Sequence, residues 1–222
     1  MRVAAIIPAW NEATTVGAVV DAACRARLID EVLVVDNGSG DETAVVAAQA
    51  GARVVRQPVP GKGQTMTAGV AETNADIVVF LDADLLGLSA DHVDELVLPV
   101  LTNEADMTCG LFDRGPLSNP VYLRLLPVLT GQRALRRELF EALDPVDVRG
   151  YKVEAALNSL VAQRHLRRID LVSTGLWHRT KEEKFANPVQ GFLHKQAMLL
   201  TAAWSYLSFV IRRRVVDPIA DR

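Results

Sequence analysis

The run Ile77-Val78-Val79-Phe80-Leu81, closed by Asp82-Ala83-Asp84, constrains this chain more than any other stretch. A short apolar run rich in β-branched residues, polar on both flanks, suits a strand buried on both faces. Side chains two apart on an extended segment point the same way, so both carboxylates are expected to leave the carboxyl edge of that strand together. That edge is where open α/β sheets bind ligands. Two bare carboxylates there repel one another unless a cation is shared. One or two carboxylates plus substrate phosphates is also how magnesium is usually held. Taken alone, the pair also fits a polar turn closing a strand, so the other loops must decide.

Upstream, the chain repeats one unit. Arg2 to Ile7 reads as a first strand with Pro8-Ala9-Trp10-Asn11 as its exit loop. Thr14 or Thr15 is placed to cap a helix whose Val16, Val19, Val20 and Ala23 share a face. Val32–Val35 is a second buried strand, Glu42–Ala50 a helix, Arg53–Val55 a short strand and Gln64–Glu72 another helix after the loop 58–63. Strands alternating with helices through short loops predict an α/β fold with a mainly parallel central sheet and right-handed crossovers. Beyond residue 90 the spacing predicts helices over Asp91–Leu101, Thr130–Leu143 and Tyr151–His165, and strands over Asp106–Leu111 and Arg168–Ser173. Lys181–Gln190 reads as a polar loop and Gly191–Arg214 as one long helix. The expected division is a single domain over 1–190, its two halves meeting near residue 90, then a helical tail over 191–222.

At 222 residues, half of them hydrophobic, the chain can bury a full core. The apolar start is too short for a signal peptide and stops at Pro8. Cys24 and Cys109 have no metal-ligand or disulfide spacing, so a cytoplasmic protein is expected. A net charge of -3 disfavours nucleic acid as a partner. Residues 1–123 carry 7 Lys and Arg against 17 Asp and Glu, whereas 124–222 carry 17 against 10. That asymmetry fits an acidic metal-binding half and a basic half facing an anion, or simply solvated helix faces. In the tail, Met198–Ile211 is too short to span a bilayer. Trp204, Tyr206 and Arg212-Arg213-Arg214 suit a peripheral membrane contact, a homodimer contact, or a helix packed on its own domain.

Pro8–Glu12, Asp36–Asp41 and Asp82–Asp84 are expected to converge on one sheet edge. Asp36 and Asp41 bracket Gly38, Ser39 and Gly40, whose small size lets a ligand approach the backbone. A carboxylate there can accept hydrogen bonds from a base or ribose, and Asn11 and Glu12 can act likewise. Pro60-Gly61-Lys62-Gly63 flanks a cation with two glycines, without the spacing of a phosphate-binding P-loop. Each is an ordinary turn in isolation; together on one edge they point to a ligand site.

The set Ile7-Pro8-Ala9-Trp10-Asn11-Glu12, Val35-Asp36-Asn37-Gly38-Ser39-Gly40-Asp41, Pro60-Gly61-Lys62-Gly63 and Leu81-Asp82-Ala83-Asp84-Leu85 resembles the successive signatures of GT-A fold glycosyltransferases of the family 2 type. The resemblance implies a Rossmann-like GT-A sheet flanked by helices, a nucleotide-diphosphate sugar donor and Mg or Mn as cofactor. It would place Pro8, Ala9, Trp10, Asn11, Glu12, Asp36, Gly38, Ser39, Lys62, Asp82 and Ala83 on the nucleotide sugar, with Asp36 on the base and Asp84 on the metal. The family often has a second Asp where this chain has Asn37.

Thr130-Gly131-Gln132-Arg133, Gly150-Tyr151-Lys152-Val153-Glu154 and Trp177-His178-Arg179 resemble the acceptor side of glucosyl-3-phosphoglycerate synthases. That likeness would make His178 a second metal ligand, tilting preference toward manganese. It would set Glu154 beside the acceptor or reacting sugar as a catalytic group, and Gly131, Gln132, Arg133 and Tyr151 around an anionic acceptor. The expected reaction is hexose transfer from a UDP-sugar, favoured over a GDP-sugar, to an anionic acceptor such as 3-phosphoglycerate. A hydroxyl acceptor needs a base, for which Glu154 and Asp113 are available. Read as a helix, Arg133, Arg136 and Arg137 fall on one face suited to that anion or to water. Polyprenyl- and dolichyl-phosphate sugar transferases share these motifs more loosely. A nucleotidyltransferase would want a glycine-rich, Arg-bearing first loop, and a Rossmann oxidoreductase G-x-G-x-x-G; Pro8–Asn11 is neither. A non-catalytic nucleotide-sugar-binding module is the reading from another class.

Overall fold

The computed structural model describes residues 1–113, 130–148 and 152–178. The expected loop 181–190, the long helix 191–214 and Tyr151 lie outside the described residues. Strands β1 (Val3–Ala9), β2 (Glu31–Asp36) and β3 (Arg53–Arg56) alternate with helices α1 (Val16–Arg25), α2 (Thr43–Gln49) and α3 (Lys62–Ala71). Then come β4 (Ile77–Phe80), β5 (Leu85–Leu86), α4 (Ala90–Leu101) and β6 (Met107–Phe112). After them stand β7 (Arg133–Arg136), α5 (Arg137–Glu141), α6 (Val153–Gln163), β8 (Arg168–Ser173) and β9 (Trp177–His178). Seven strands form one sheet in the order β3-β2-β1-β4-β7-β6-β8, and β5 pairs with β9 in a separate ribbon. All ladders of the large sheet are parallel except the two that β7 makes with β4 and β6.

The sheet is a mainly parallel one flanked by helices, the GT-A arrangement. Its central strands β1, β2 and β4 are near-continuous apolar runs because both faces are covered. Alternate residues of β1 and β4 serve opposite cores: Ala5, Ile7, Ile77 and Val79 pack with α1 and α4, while Ile6, Val78 and Phe80 pack with α3, α5 and α6. In the second core Phe80 meets Phe140 at 5.2 Å between ring centroids. Val16, Val19, Val20 and Ala23 are the buried face of α1, as their spacing predicts; Thr15 stands at its N-cap without a side-chain cap bond.

Three expectations are corrected. The first strand runs on through Pro8 and Ala9, which pair with Val35 and Asp36, so those two are strand rather than exit loop. The segment read as a helix over Thr130–Leu143 is the strand β7 followed by the short α5, because its Ala134 and Leu135 fill the slot between β4 and β6. And β4 ends at Phe80, with Ala83 and Asp84 in a turn, so the alternation of a strand no longer sets where the two aspartates face. No helix among the described residues is long and apolar enough to cross a membrane.

Candidate active site

The carboxyl ends of β1, β2 and β4 lie side by side, and the loops of β1 and β2 bond to one another. At the end of β1, Trp10 stands 55% exposed. Asn11, in the left-handed region at φ 54, donates its N–H to Ser39 Oγ at 2.9 Å and accepts from the Gly40 N–H at 2.8 Å through Oδ1. The N–H of Glu12 donates to Thr43 Oγ1 at 2.8 Å. Asp36 is buried at the end of β2 and accepts from the Ser39 N–H at 3.2 Å, with Gly38 between them. Asp41 accepts from the N–H groups of Ala13 and Thr43, both at 3.1 Å, and from the Thr43 hydroxyl. Burial would raise the Asp41 pKa, but these bonds outweigh it and hold the carboxyl below its usual range. The first and second loops are therefore one clasped unit.

Asn37 ties that unit to the third loop. Its amide donates to the carbonyls of Gln57 at 2.9 Å and Val59 at 2.8 Å, and its Oδ1 accepts from the Gly61 N–H at 2.9 Å. An aspartate could accept the last bond but donate neither of the others. The departure at position 37 is thus a clamp on the approach to Lys62.

Lys62 opens α3 and reaches the centre of the site. Its Nζ lies 2.8 Å from Asp82 Oδ1 and 2.7 Å from Glu154 Oε1, with 19% of the lysine side chain, 16% of Asp82 and 10% of Glu154 exposed. Burial would lower the lysine pKa; the two carboxylates outweigh it and hold the ammonium far above its ordinary range. Glu154 thus pairs across the site, with a lysine ninety-two positions away. The other oxygen of Asp82 accepts from Gln132 Nε2 at 2.9 Å. Gly131 precedes that contact and must be glycine, because a Cβ there would lie 2.2 Å from the Asp82 carboxylate oxygens. A glycine one residue before a polar side chain was the sequence signal for this close approach.

The arginine face disappears with the helix that carried it. Arg133, expected at the acceptor, is fully buried, its guanidinium on Thr130 O at 2.8 Å and Asn158 Oδ1 at 2.9 Å. Arg136 pairs in register with Ile77, at the opposite edge of the sheet, and reaches Asn103. Arg137 bonds Glu141 and Thr73 O. Asp113 follows β6 and is exposed; Ala83 is buried in the turn between the aspartates.

Asp84 sits half-buried in that turn, directly before β5. In the ribbon Leu85 pairs with His178, so the backbone brings position 178 to the residue after Asp84. Among the described residues no three acid, His or Cys side chains gather into a cage for a metal ion. The donor chemistry nonetheless fits Mg or Mn, which take one or two protein groups and leave the remaining positions to phosphate and water. Asp84, with position 178 adjacent in register, is placed where such an ion could be held.

The family model for Glycosyl transferase family 2 matches residues 4–155. A glucosyl-3-phosphoglycerate synthase of Mycolicibacterium smegmatis is 38% identical over 125 residues, covering 52% of this chain and 41% of that protein. The match thus spans about two fifths of the length of such relatives. An uncharacterised glycosyltransferase of Mycobacterium tuberculosis is 35% identical over 165 residues, 73% of this chain and 72% of that one. The crystal structure of glucosyl-3-phosphoglycerate synthase from Mycobacterium tuberculosis with Mn2+, UDP-glucose and phosphoglyceric acid superposes with a TM-score of 0.77 at 30% identity, covering 94% of this chain and 79% of that one. Since the family match runs from β1 into α6 and takes in each of the clasped loops and the Lys62 bridge, the chain belongs to glycosyl transferase family 2.

Proposed function

We propose that this chain is a metal-dependent hexosyltransferase that takes its sugar from a nucleotide diphosphate, UDP before GDP, and passes it to a phosphorylated small molecule such as 3-phosphoglycerate. The observation that carries the reading is the Lys62 ammonium held between Asp82 and Glu154 where β4 ends, beside the clasped loops of β1 and β2. A similar protein has been crystallised with Mn2+, UDP-glucose and phosphoglyceric acid together, which supports the same donor and acceptor class here. Residues 1–190 act as one catalytic unit in this reading.

Asp36 and Glu12 receive the nucleoside, with Asn11, Ser39 and Gly38 shaping the backbone around it. Asp84 and His178 would hold the dication, and a dication there supplies Lewis-acid stabilisation of the charge that gathers on the departing nucleoside diphosphate. Lys62 keeps Asp82 and Glu154 at a fixed separation and offsets one of their two charges, so that with Asp84 the site keeps a negative balance that draws a cation. Glu154 faces the acceptor side. If the attacking group is a hydroxyl, Glu154 takes its proton, with Asp113 as the other carboxylate on that edge. Gly131 borders the acceptor, and Tyr151 is assigned to it by the motif alone.

The test is consumption of UDP-glucose and GDP-glucose with Mn2+, with and without 3-phosphoglycerate. Transfer to the phosphorylated acceptor is expected, and Asp84→Ala should lower kcat by about 100- to 1,000-fold, the loss seen when one charge-stabilising group is removed. Tight UDP-glucose binding without turnover on any phosphorylated acceptor would leave a binding module instead.

A further inference from the structure

Resting on that reading of the site, we infer that Gln132 is a positioning residue for the reaction, acting through Asp82 rather than by touching the acceptor. Gln132 is 2% exposed, so its amide has no water to fall back on. Both ends of that amide are committed. Nε2 donates to Asp82 Oδ2 at 2.9 Å, and Oε1 lies 2.6 Å from Thr130 Oγ1. The one Thr130 hydroxyl proton serves either Gln132 Oε1 or Gly110 O on β6, 2.7 Å away, while its oxygen accepts from the Gln132 N–H at 3.3 Å. The amide cannot turn over, because its oxygen would then face a carboxylate.

Gly131 makes the grip tight. Its missing side chain is what lets the strand lead-in press against Asp82, since any Cβ would collide with both carboxylate oxygens. Asp82 is thereby held from two sides, by Lys62 on Oδ1 and by Gln132 on Oδ2. Neither contact depends on the turn at Ala83–Asp84. The segment 130–132 thus fixes the carboxylate that orients Lys62, and Lys62 in turn fixes Glu154. Side chains that lock a functional carboxylate from behind typically carry about 10- to 100-fold in activity or metal affinity. An amide bonded at both ends and closed to solvent is set to hold Asp82 rather than to meet the acceptor.

The experiment compares Gln132→Met, which keeps length and volume, with Gln132→Glu, which keeps shape but sets a carboxylate against Asp82. Melting temperature, kcat and KM for donor and acceptor are measured for each. If the amide positions Asp82, both variants fold, kcat falls about 10- to 100-fold in each, and KM for the acceptor moves less than threefold. If the side chain merely fills space, Gln132→Met keeps kcat within twofold, which overturns the inference. A rise in acceptor KM at constant kcat overturns it too, in favour of direct acceptor binding. An independent arm follows the Gln132 side-chain amide protons by NMR: slow exchange in the wild type, accelerated in Asp82→Ala, is expected. Exchange as fast as in an exposed glutamine overturns the contact even if the wild type turns over no sugar, an outcome that would separately sink the transferase reading.

Discussion

Lys62 is the residue on which two otherwise unrelated carboxylates depend. Asp82 leaves β4 and Glu154 lies in the first turn of α6, and the ammonium between them is what keeps like charges from facing each other. Removing one member of a largely buried ion pair costs on the order of 3 kcal/mol, because the partners remain desolvated. Lys62→Met is therefore expected to lower stability by about that much in urea titration and to abolish transfer. The sign of the pH dependence follows from the raised lysine pKa. A folded value above the unfolded one, about 10.4, means the contribution is whole below that pH and is lost only as the solution rises through the folded value. The stability gap between wild type and Lys62→Met should accordingly stay constant between about pH 7 and 9. A gap that closes over that interval would show that the bridge is not what the ammonium contributes. Asn37 is the residue whose meaning the motif misread: it appears as a departure from a second aspartate, but its two donated bonds hold the 57–61 loop from which Lys62 starts.

At the scale of elements, α3 must lie close to the sheet for Lys62 to arrive where it does. Gly69, two turns into that helix, allows this: a Cβ there would lie 2.4 Å from Ile6 Cγ2 and 3.1 Å from Val35 Cγ2. Gly69→Ala gains helix propensity yet should lose about 1–3 kcal/mol overall by overpacking, since the displaced atoms are core side chains. Transfer should fall with it, because the shift moves the helix that presents Lys62; a variant more stable than wild type would disprove the tight seat. Asp94 joins two other elements. From α4 its carboxylate accepts from the N–H groups of Arg27 at 3.2 Å and Leu28 at 2.9 Å, just past α1. Burial pushes its pKa up, but those bonds and the Arg27 guanidinium prevail and hold it below the usual range. A lowered folded value gives stability that is present above the unfolded pKa of about 3.9 and disappears as the pH falls through the folded one. Asp94→Asn is thus expected to cost about 1.5–3 kcal/mol at pH 7, with the gap shrinking as the pH falls below the unfolded value.

For the whole molecule, ligand binding must report on loops that three strands contribute. UDP with Mn2+ at a hundred times its dissociation constant should add about 2.7 kcal/mol of stability. For a chain of this size that is a rise in Tm of about 5–10 °C. UDP alone, or UDP with Mn2+ and excess chelator, should give little of it; a shift that survives chelation would remove the metal from the account. The same test run on Asp84→Ala separates loss of the metal from loss of the fold.

Most of the frame could be read from the order of residues. Apolar runs of strand length, each ending in polar loops, are a local property, and burial on both faces leaves its mark as uninterrupted β-branched sequence. So β1, β2, β4, the helices between them and the edge carrying Asp36, Lys62, Asp82 and Asp84 were legible. What was not legible depends on neighbours far along the chain. Arg133–Arg136 reads as helix by its own residues and becomes a strand because β4 and β6 leave a slot with unsatisfied backbone on both sides, which outweighs local preference. That single change of state buries Arg133, sends Arg136 to the far edge, and turns Gln132 toward Asp82. The pairing of Lys62 with Glu154, ninety-two positions away, likewise exists only once α6 has packed on the sheet. Sequence determined which chemical groups stand at the strand ends, because that follows from local pattern; tertiary packing alone decided which of them touch, because contact between distant residues is a property of the closed core.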